Sequence, residues 1–223
     1  ILEMTGAEML WIPGIRMCDG IAADYAEKQK CLKFTHNFDD DILSASRNMA
    51  KRYRCNTSHG QKIENYALQI FDAMKKFHGL GTRERLLLQI ASILHDCGKF
   101  ISLRDSSACA YNIIMATEII GLSHAEREIV AEVVRCNLDA FRYGEGSIRA
   151  GKLTAMLRLA NAMDRSHHGR LDDGKLQVKG NKLIISTSYA GNLALETMAV
   201  EDKADFFEEM FGIRPEIRQK RRV

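Results

Sequence analysis

The segment Thr82-Arg83-Glu84-Arg85-Leu86-Leu87-Leu88-Gln89-Ile90-Ala91-Ser92-Ile93-Leu94-His95-Asp96-Cys97-Gly98-Lys99 decides the fold. From Leu86 to Leu94 it is apolar around most of a helical circumference, which marks a helix enclosed on all sides at the centre of a bundle. Yet it closes on His95 and Asp96. A carboxylate at the end of so apolar a helix is costly to desolvate unless something compensates it, so the stretch itself calls for a partner.

Working outward, Ile42, Ala45, Met49 and Tyr53 recur at helical spacing before this segment. A second helix is expected from Thr57 or Ser58, either of which can cap it, with Ile63, Tyr66, Ala67, Ile70, Met74 and Phe77 facing a core. His59 begins that stripe. Beyond the segment, helices are expected around Tyr111 to Ile120, after the capping box Ser123-His124-Ala125-Glu126, and from Ile148 to Met163. Leu153, Leu157, Ala160 and Asp164 fall on one face of the last, so Asp164 also points inward.

After Asp164 the period changes from helical to two. Leu176 and Val178, the turn Gly180-Asn181, then Leu183 and Ile185 predict a β-hairpin. A strand over Leu195 to Val200, a helix carrying Phe206, Phe207, Met210 and Phe211, and a strand near Ile213 to Ile217 would complete a small α+β unit. At the other end, Met9 to Ile15 reads as a strand or loop and Ala22 to Lys30 as a short polar helix. The fold class is therefore mainly α, a helical bundle followed by a small α+β C-terminal unit. Its expected divisions are 1–35, 36–172 and 173–223.

Composition excludes several classes. With 223 residues, 46% hydrophobic and 27% charged, the chain matches a globular protein rather than a disordered one. It has no apolar run of bilayer-spanning length and no secretory signal pattern, so a cytoplasmic location without membrane attachment is expected. Ile1 in place of Met leads us to expect a fragment. The six cysteines form no C-x-x-C pair and are read as buried free thiols. A net charge of +3 gives no case for DNA. The basic tail Arg218, Lys220, Arg221 and Arg222 is either a solvated terminus or a docking point for a polyanion.

His59, the pair His95-Asp96, and Asp164 thus occupy core-facing positions on three helices. Singly, each is commonly a hydrogen-bonded core residue, and an Asp can pair with an arginine such as Arg158 or Arg165. Together, they form a mixed nitrogen and oxygen set suited to one divalent ion, with Mn, Fe, Ni, Zn and Mg all compatible. Lys99, three residues after Asp96, falls where an ammonium screens an incoming phosphate, although the helix dipole alone also favours lysine there. His167 and His168 follow Asp164 closely, but paired histidines at a helix end are more often surface residues.

The stretches Ser58-His59-Gly60, Ile93 to Lys99 and Leu159 to His167 resemble the HD superfamily of metal-dependent phosphohydrolases, and more narrowly the C-terminal region of the exopolyphosphatase and guanosine pentaphosphatase (Ppx/GppA) family. The resemblance continues through Gly121 to Arg127, Gly169-Arg170-Leu171 and Phe206 to Glu209. Ile12 to Ile21 is similar to the close of that family's actin-like catalytic portion, whose remainder would lie upstream. It implies that His59, His95, Asp96 and Asp164 are metal ligands, with Asp96 also orienting an attacking water. A bound cation would make hydroxide available near neutral pH and offset phosphoryl charge.

Related two-metal proteins carry more histidines between the His-Asp pair and the last Asp. Here Cys109 and Asn137 stand at such places, and His124 lies in a first helical turn. A single metal, or none, is expected. There is no phosphate-loop lysine motif and no G-x-S-x-G nucleophile elbow. Two functions follow as expectations. One is a metal-dependent hydrolase of phosphate esters or anhydrides using Asp96 and Lys99. The other is a non-catalytic module that binds polyphosphate or a nucleotide, or forms a homodimer, for an upstream actin-like phosphatase domain.

Overall fold

The computed structural model describes residues 6, 8–32, 37–139, 141 and 148–219. The expected link near residue 35 and the basic residues Lys220, Arg221 and Arg222 lie outside them. The chain divides into two compact units, Ile1–Phe38 and Asp39–Val223. The first carries helix α1 (Met17–Lys28), which buries no side chain and is preceded by irregular backbone over Met9 to Ile15.

The helical elements that follow, all in the second unit but for Phe38 itself, are α2 (Phe38–Arg52), α3 (Thr57–Ala73), the single turn α4 (Lys75–His78), α5 (Thr82–Leu94), a 3-10 turn (Cys97–Phe100), α6 (Ser106–Ala116), α7 (His124–Cys136) and α8 (Ile148–Met163). Helix α5 is central, as its composition predicted. Leu88, Ile90, Ala91 and Leu94 are fully enclosed, and each of the larger ones contributes about 1.5–3 kcal/mol by leaving water. Ser92 sits among them because its hydroxyl donates to the Leu88 carbonyl at 2.8 Å. Helices α3, α7 and α8 pack around α5. The capping box at Ser123 forms as expected, with Glu126 accepting from the Ser123 N–H at 2.9 Å.

The α+β unit comprises β1 (Lys175–Lys179), β2 (Lys182–Thr187), α9 (Ala194–Phe211) and β3 (Arg214–Gln219). The hairpin β1-β2 is antiparallel with Leu176 opposite Ile185, and β3 pairs parallel to β2. A parallel return needs a crossover, which α9 supplies while packing on α8.

Four expectations need correction. Leu195 to Val200 is helix, not strand. Glu196, Val200, Ala204 and Phe207 are buried at intervals of four, four and three, so the period belongs to one continuous helix. The helix placed around Tyr111 to Ile120 instead runs Ser106–Ala116 and ends in extended Thr117. Helix α3 is capped by Asn56, whose Oδ1 accepts from the His59 N–H at 3.2 Å, so Thr57 is already helical. The cysteines are all free thiols, but only Cys97 and Cys136 are buried. Among the described residues no helix is long and apolar enough to cross a membrane.

Candidate metal centre

The Asn56 cap fixes where α3 begins and places His59 in its first turn, only 4% exposed. Its Nδ1 lies 2.8 Å from Oδ2 of Asp164, which is fully buried just past the end of α8. A carboxylate accepts, so Nδ1–H donates, and a neutral ring then carries its lone pair on Nε2. Asp164 Oδ1 accepts from the Gly169 N–H at 2.8 Å. Burial pushes the Asp164 carboxyl up, but these two donors outweigh it and hold the group below the ordinary carboxylate range. Gly169 takes a left-handed φ of 64°, and an added Cβ would stand 2.2 Å from Asp172 Oδ2. A left-handed backbone of this kind favours glycine.

His95 terminates α5 at 5% exposure. Its Nδ1–H donates to the Ser92 carbonyl at 2.7 Å, which fixes the proton on that nitrogen. Burial pushes the ring's pKa down, against the pull of Asp96, so the imidazole is neutral. Its Nε2 is therefore a bare lone pair, enclosed, without a hydrogen-bond partner, and 3.4 Å from Asp96 Oδ1. Two acceptors face each other with no proton between them. Something positive or protic is called for there.

Asp96 is half-buried at the entrance to the 3-10 turn, and Oδ1 accepts from Lys99 Nζ at 2.6 Å. Burial raises this carboxyl, but the Lys99 ammonium bonded to it holds it below its usual range. The turn exists because Gly98 lies against α6, where a Cβ would be 1.8 Å from the Ser106 carbonyl oxygen and 2.7 Å from the Ala110 nitrogen. Lys99 thus reaches Asp96 by three-residue spacing, on a tighter turn than an α-helix.

The structure brings His59, His95, Asp96 and Asp164 to one place. His59 is shared between two groups, His59-His95-Asp96 and His59-Asp164-His167, whose possible ligand atoms in each group lie within 4.8 Å of one another. His167 is exposed, as expected of paired histidines at a helix end, yet its ring also borders the site. Its φ of 59° turns the chain back, its N–H donates to the Asp164 carbonyl at 2.9 Å, and its ring lies 3.8 Å from that of His59. Burial and the neighbouring His59 lower its pKa, so it too offers a lone pair. Its spacing from Asp164 was the only signal in the sequence. His124 stays exposed on the first turn of α7, beside Arg127. Arg158 donates to the carbonyls of Cys136 and Asp139 rather than to Asp164.

The donor set fits a divalent cation. His95 Nε2 supplies an unused lone pair, Asp96 the adjacent charge, and Asp164 holds the His59 ring as carboxylates do behind metal-bound histidines. The Lys99 ammonium meanwhile occupies one oxygen of Asp96, so a metal ion bound there would compete with Lys99 for it.

Comparison with known proteins gives two findings. A family model described as Ppx/GppA phosphatase, domain III, matches residues 43–202. Over 207 residues the chain is 22% identical to a guanosine-5'-triphosphate,3'-diphosphate pyrophosphatase of Photobacterium profundum. That alignment covers 90% of this chain and 40% of the relative, so the chain spans less than half the length of the curated protein it matches.

Proposed function

Because the chain belongs to the Ppx/GppA phosphatase family through its domain III, we propose that its buried His/Asp cluster is an HD-type centre for one divalent metal ion, suited to hydrolysis of a phosphate ester or anhydride. The observation that supports this most is the enclosed, unprotonated Nε2 of His95 facing Asp96. His59 and His95 present ring nitrogens whose direction is fixed by Asp164 and by the Ser92 carbonyl. His167 closes the far side over His59. A divalent cation, when bound, supplies Lewis acidity toward a phosphoryl oxygen and acidifies water.

The protein's own groups would carry the remaining steps. Asp96, ionised and at the rim, orients the attacking water and accepts its proton through the oxygen not held by Lys99. Lys99, almost half exposed, swings from Asp96 to the phosphoryl oxygens as charge develops on them. For the longer protein of which this chain would form a part, a nucleotide or polyphosphate anhydride is the proposed substrate. The activity for which the Photobacterium relative is named supports that choice.

The test is metal content after purification with manganese or nickel present, for the wild type and for Asp96→Ala, followed by turnover of a phosphate ester by wild type and His95→Ala. About one equivalent of metal that disappears with Asp96→Ala, and turnover that disappears with His95→Ala, is the expected result. A chain that takes up no metal is instead a binding or dimerisation module for the upstream portion.

A further inference from the structure

Beside the metal-centre candidate lies an open cavity of about 410 Å³ lined by Tyr53, Arg54, Asn56, Asp96, Lys99 and Phe100. It joins the end of α2 to the 3-10 turn. Helix α2 finishes in a left-handed cap, with the Cys55 N–H donating to the Ala50 carbonyl at 2.9 Å and the Arg54 N–H to that of Lys51 at 3.0 Å. The left-handed residue of such a cap is usually glycine, because a Cβ there crowds the backbone. Here it is Arg54, with φ of 50°.

Among the described residues the Arg54 guanidinium forms no hydrogen bond or ion pair, so nothing within the fold repays that backbone conformation. The Asn56 amide is half used in the same way. Its Oδ1 caps α3, while its NH2 group has no partner among the described residues and borders the cavity. Lys99 also lines the cavity, and the rings of Tyr53 and Phe100 meet edge to face at 5.9 Å, with Phe100 52% exposed.

We propose that Arg54 is a phosphate-binding residue in this cavity, and that the ligand is a phosphate monoester bearing a planar ring. Its oxyanion sits between Arg54, Lys99 and the Asn56 amide, and its ring lies on Phe100. A bare phosphate would leave most of the cavity unfilled. The placement of the phosphoryl group next to Asp96 rests on the hydrolytic reading given above, whereas the binding of the ester does not.

The experiment is calorimetric titration of the protein, with manganese present, by phenyl phosphate and by inorganic phosphate. Wild type is expected to prefer phenyl phosphate. Arg54→Gly and Arg54→Asn, both compatible with a left-handed backbone, should weaken both ligands by about tenfold or more. Phe100→Ala should remove only the preference for the ring. Arg52→Ala, on an ordinary helical backbone, should bind as wild type. Arg54→Gly should also raise the thermal midpoint by about 2–4 °C, since the strain is relieved.

Wild-type-like binding by either Arg54 variant, or no binding of phenyl phosphate by wild type, overturns the proposal. Binding that depends on Arg54 in a chain that takes up no metal and turns nothing over sustains it while removing the hydrolytic reading. Metal uptake and turnover indifferent to Arg54 do the reverse.

Discussion

His59 Nδ1 and Asp164 Oδ2 lie 2.8 Å apart, a buried contact between residues separated by 105 positions in the chain. The bond ties the first turn of α3 to the end of α8. Asp164 receives two N–H groups and gives none, so replacing one of its oxygens by an amide sets donor against donor. Asp164→Asn should lower stability by about 2–4 kcal/mol in urea unfolding and move the His59 ring proton, read by nitrogen chemical shifts of the imidazole. An unchanged midpoint with an unchanged tautomer contradicts this account of the centre.

Gly98 has no space for a methyl group on its α6 side, where Ser106 and Ala110 present backbone rather than flexible side chains. Gly98→Ala should cost about 1–3 kcal/mol, since the turn or α6 must shift. Because that turn carries Lys99 and follows Asp96, metal uptake should fall with it. Full stability in the alanine variant would mean that the contact is not a constraint.

Lys99 holds the Asp96 oxygen that a cation at the proposed centre would need. Lys99→Met should therefore tighten manganese binding while slowing any phosphate-ester turnover, because the charge that screens the phosphoryl group is gone. Weaker metal binding in this variant would show that the lysine organises the site rather than competing in it.

His78 is committed at both nitrogens: Nε2–H donates to the Phe71 carbonyl at 3.0 Å and Nδ1 accepts from the Leu80 N–H at 2.8 Å. Burial lowers its pKa, with the Phe71 carbonyl opposing that shift only in part. The unfolded chain therefore binds this proton first, and stability should fall as pH drops below about 6.5. His78→Gln should flatten that slope in urea midpoints between pH 7 and 5. A slope unchanged by the substitution would assign it to other groups.

Glu126 titrates in a lower window. Arg83 donates to it at 2.6 Å and 3.1 Å, and with the Ser123 donors this holds its carboxyl at about 2, against the opposing effect of burial. Its folded pKa is depressed, so its contribution is complete above the unfolded value of about 4.5 and is lost as pH falls toward 2. Glu126→Gln should lose stability at pH 7 and little at pH 2. Equal losses at both would mean that packing, not charge, is what Glu126 provides.

The sequence by itself determined the helices around α5, the hairpin at Gly180-Asn181, and the placing of an acid beside a buried histidine at the end of α5, because periods of 3.6 and 2 and the chemistry of a helix end are local properties. Where local signals were weak, tertiary structure chose. Helix α9 absorbed the apparent strand at Leu195 because its four-four-three burial continues into Phe207, and α6 started at Ser106 because Gly98 gives it a surface to lie on. The approach of the exposed His167 ring to His59 depended on one backbone angle after a helix end, which no spacing encodes. The tautomer of His95 is set locally, by the Ser92 carbonyl three residues before it, whereas the direction of His59 depended on an acid 105 residues away. Residue types can be read one at a time, but the lone-pair direction of His59 was fixed only once its hydrogen-bond partner from a distant segment was in place.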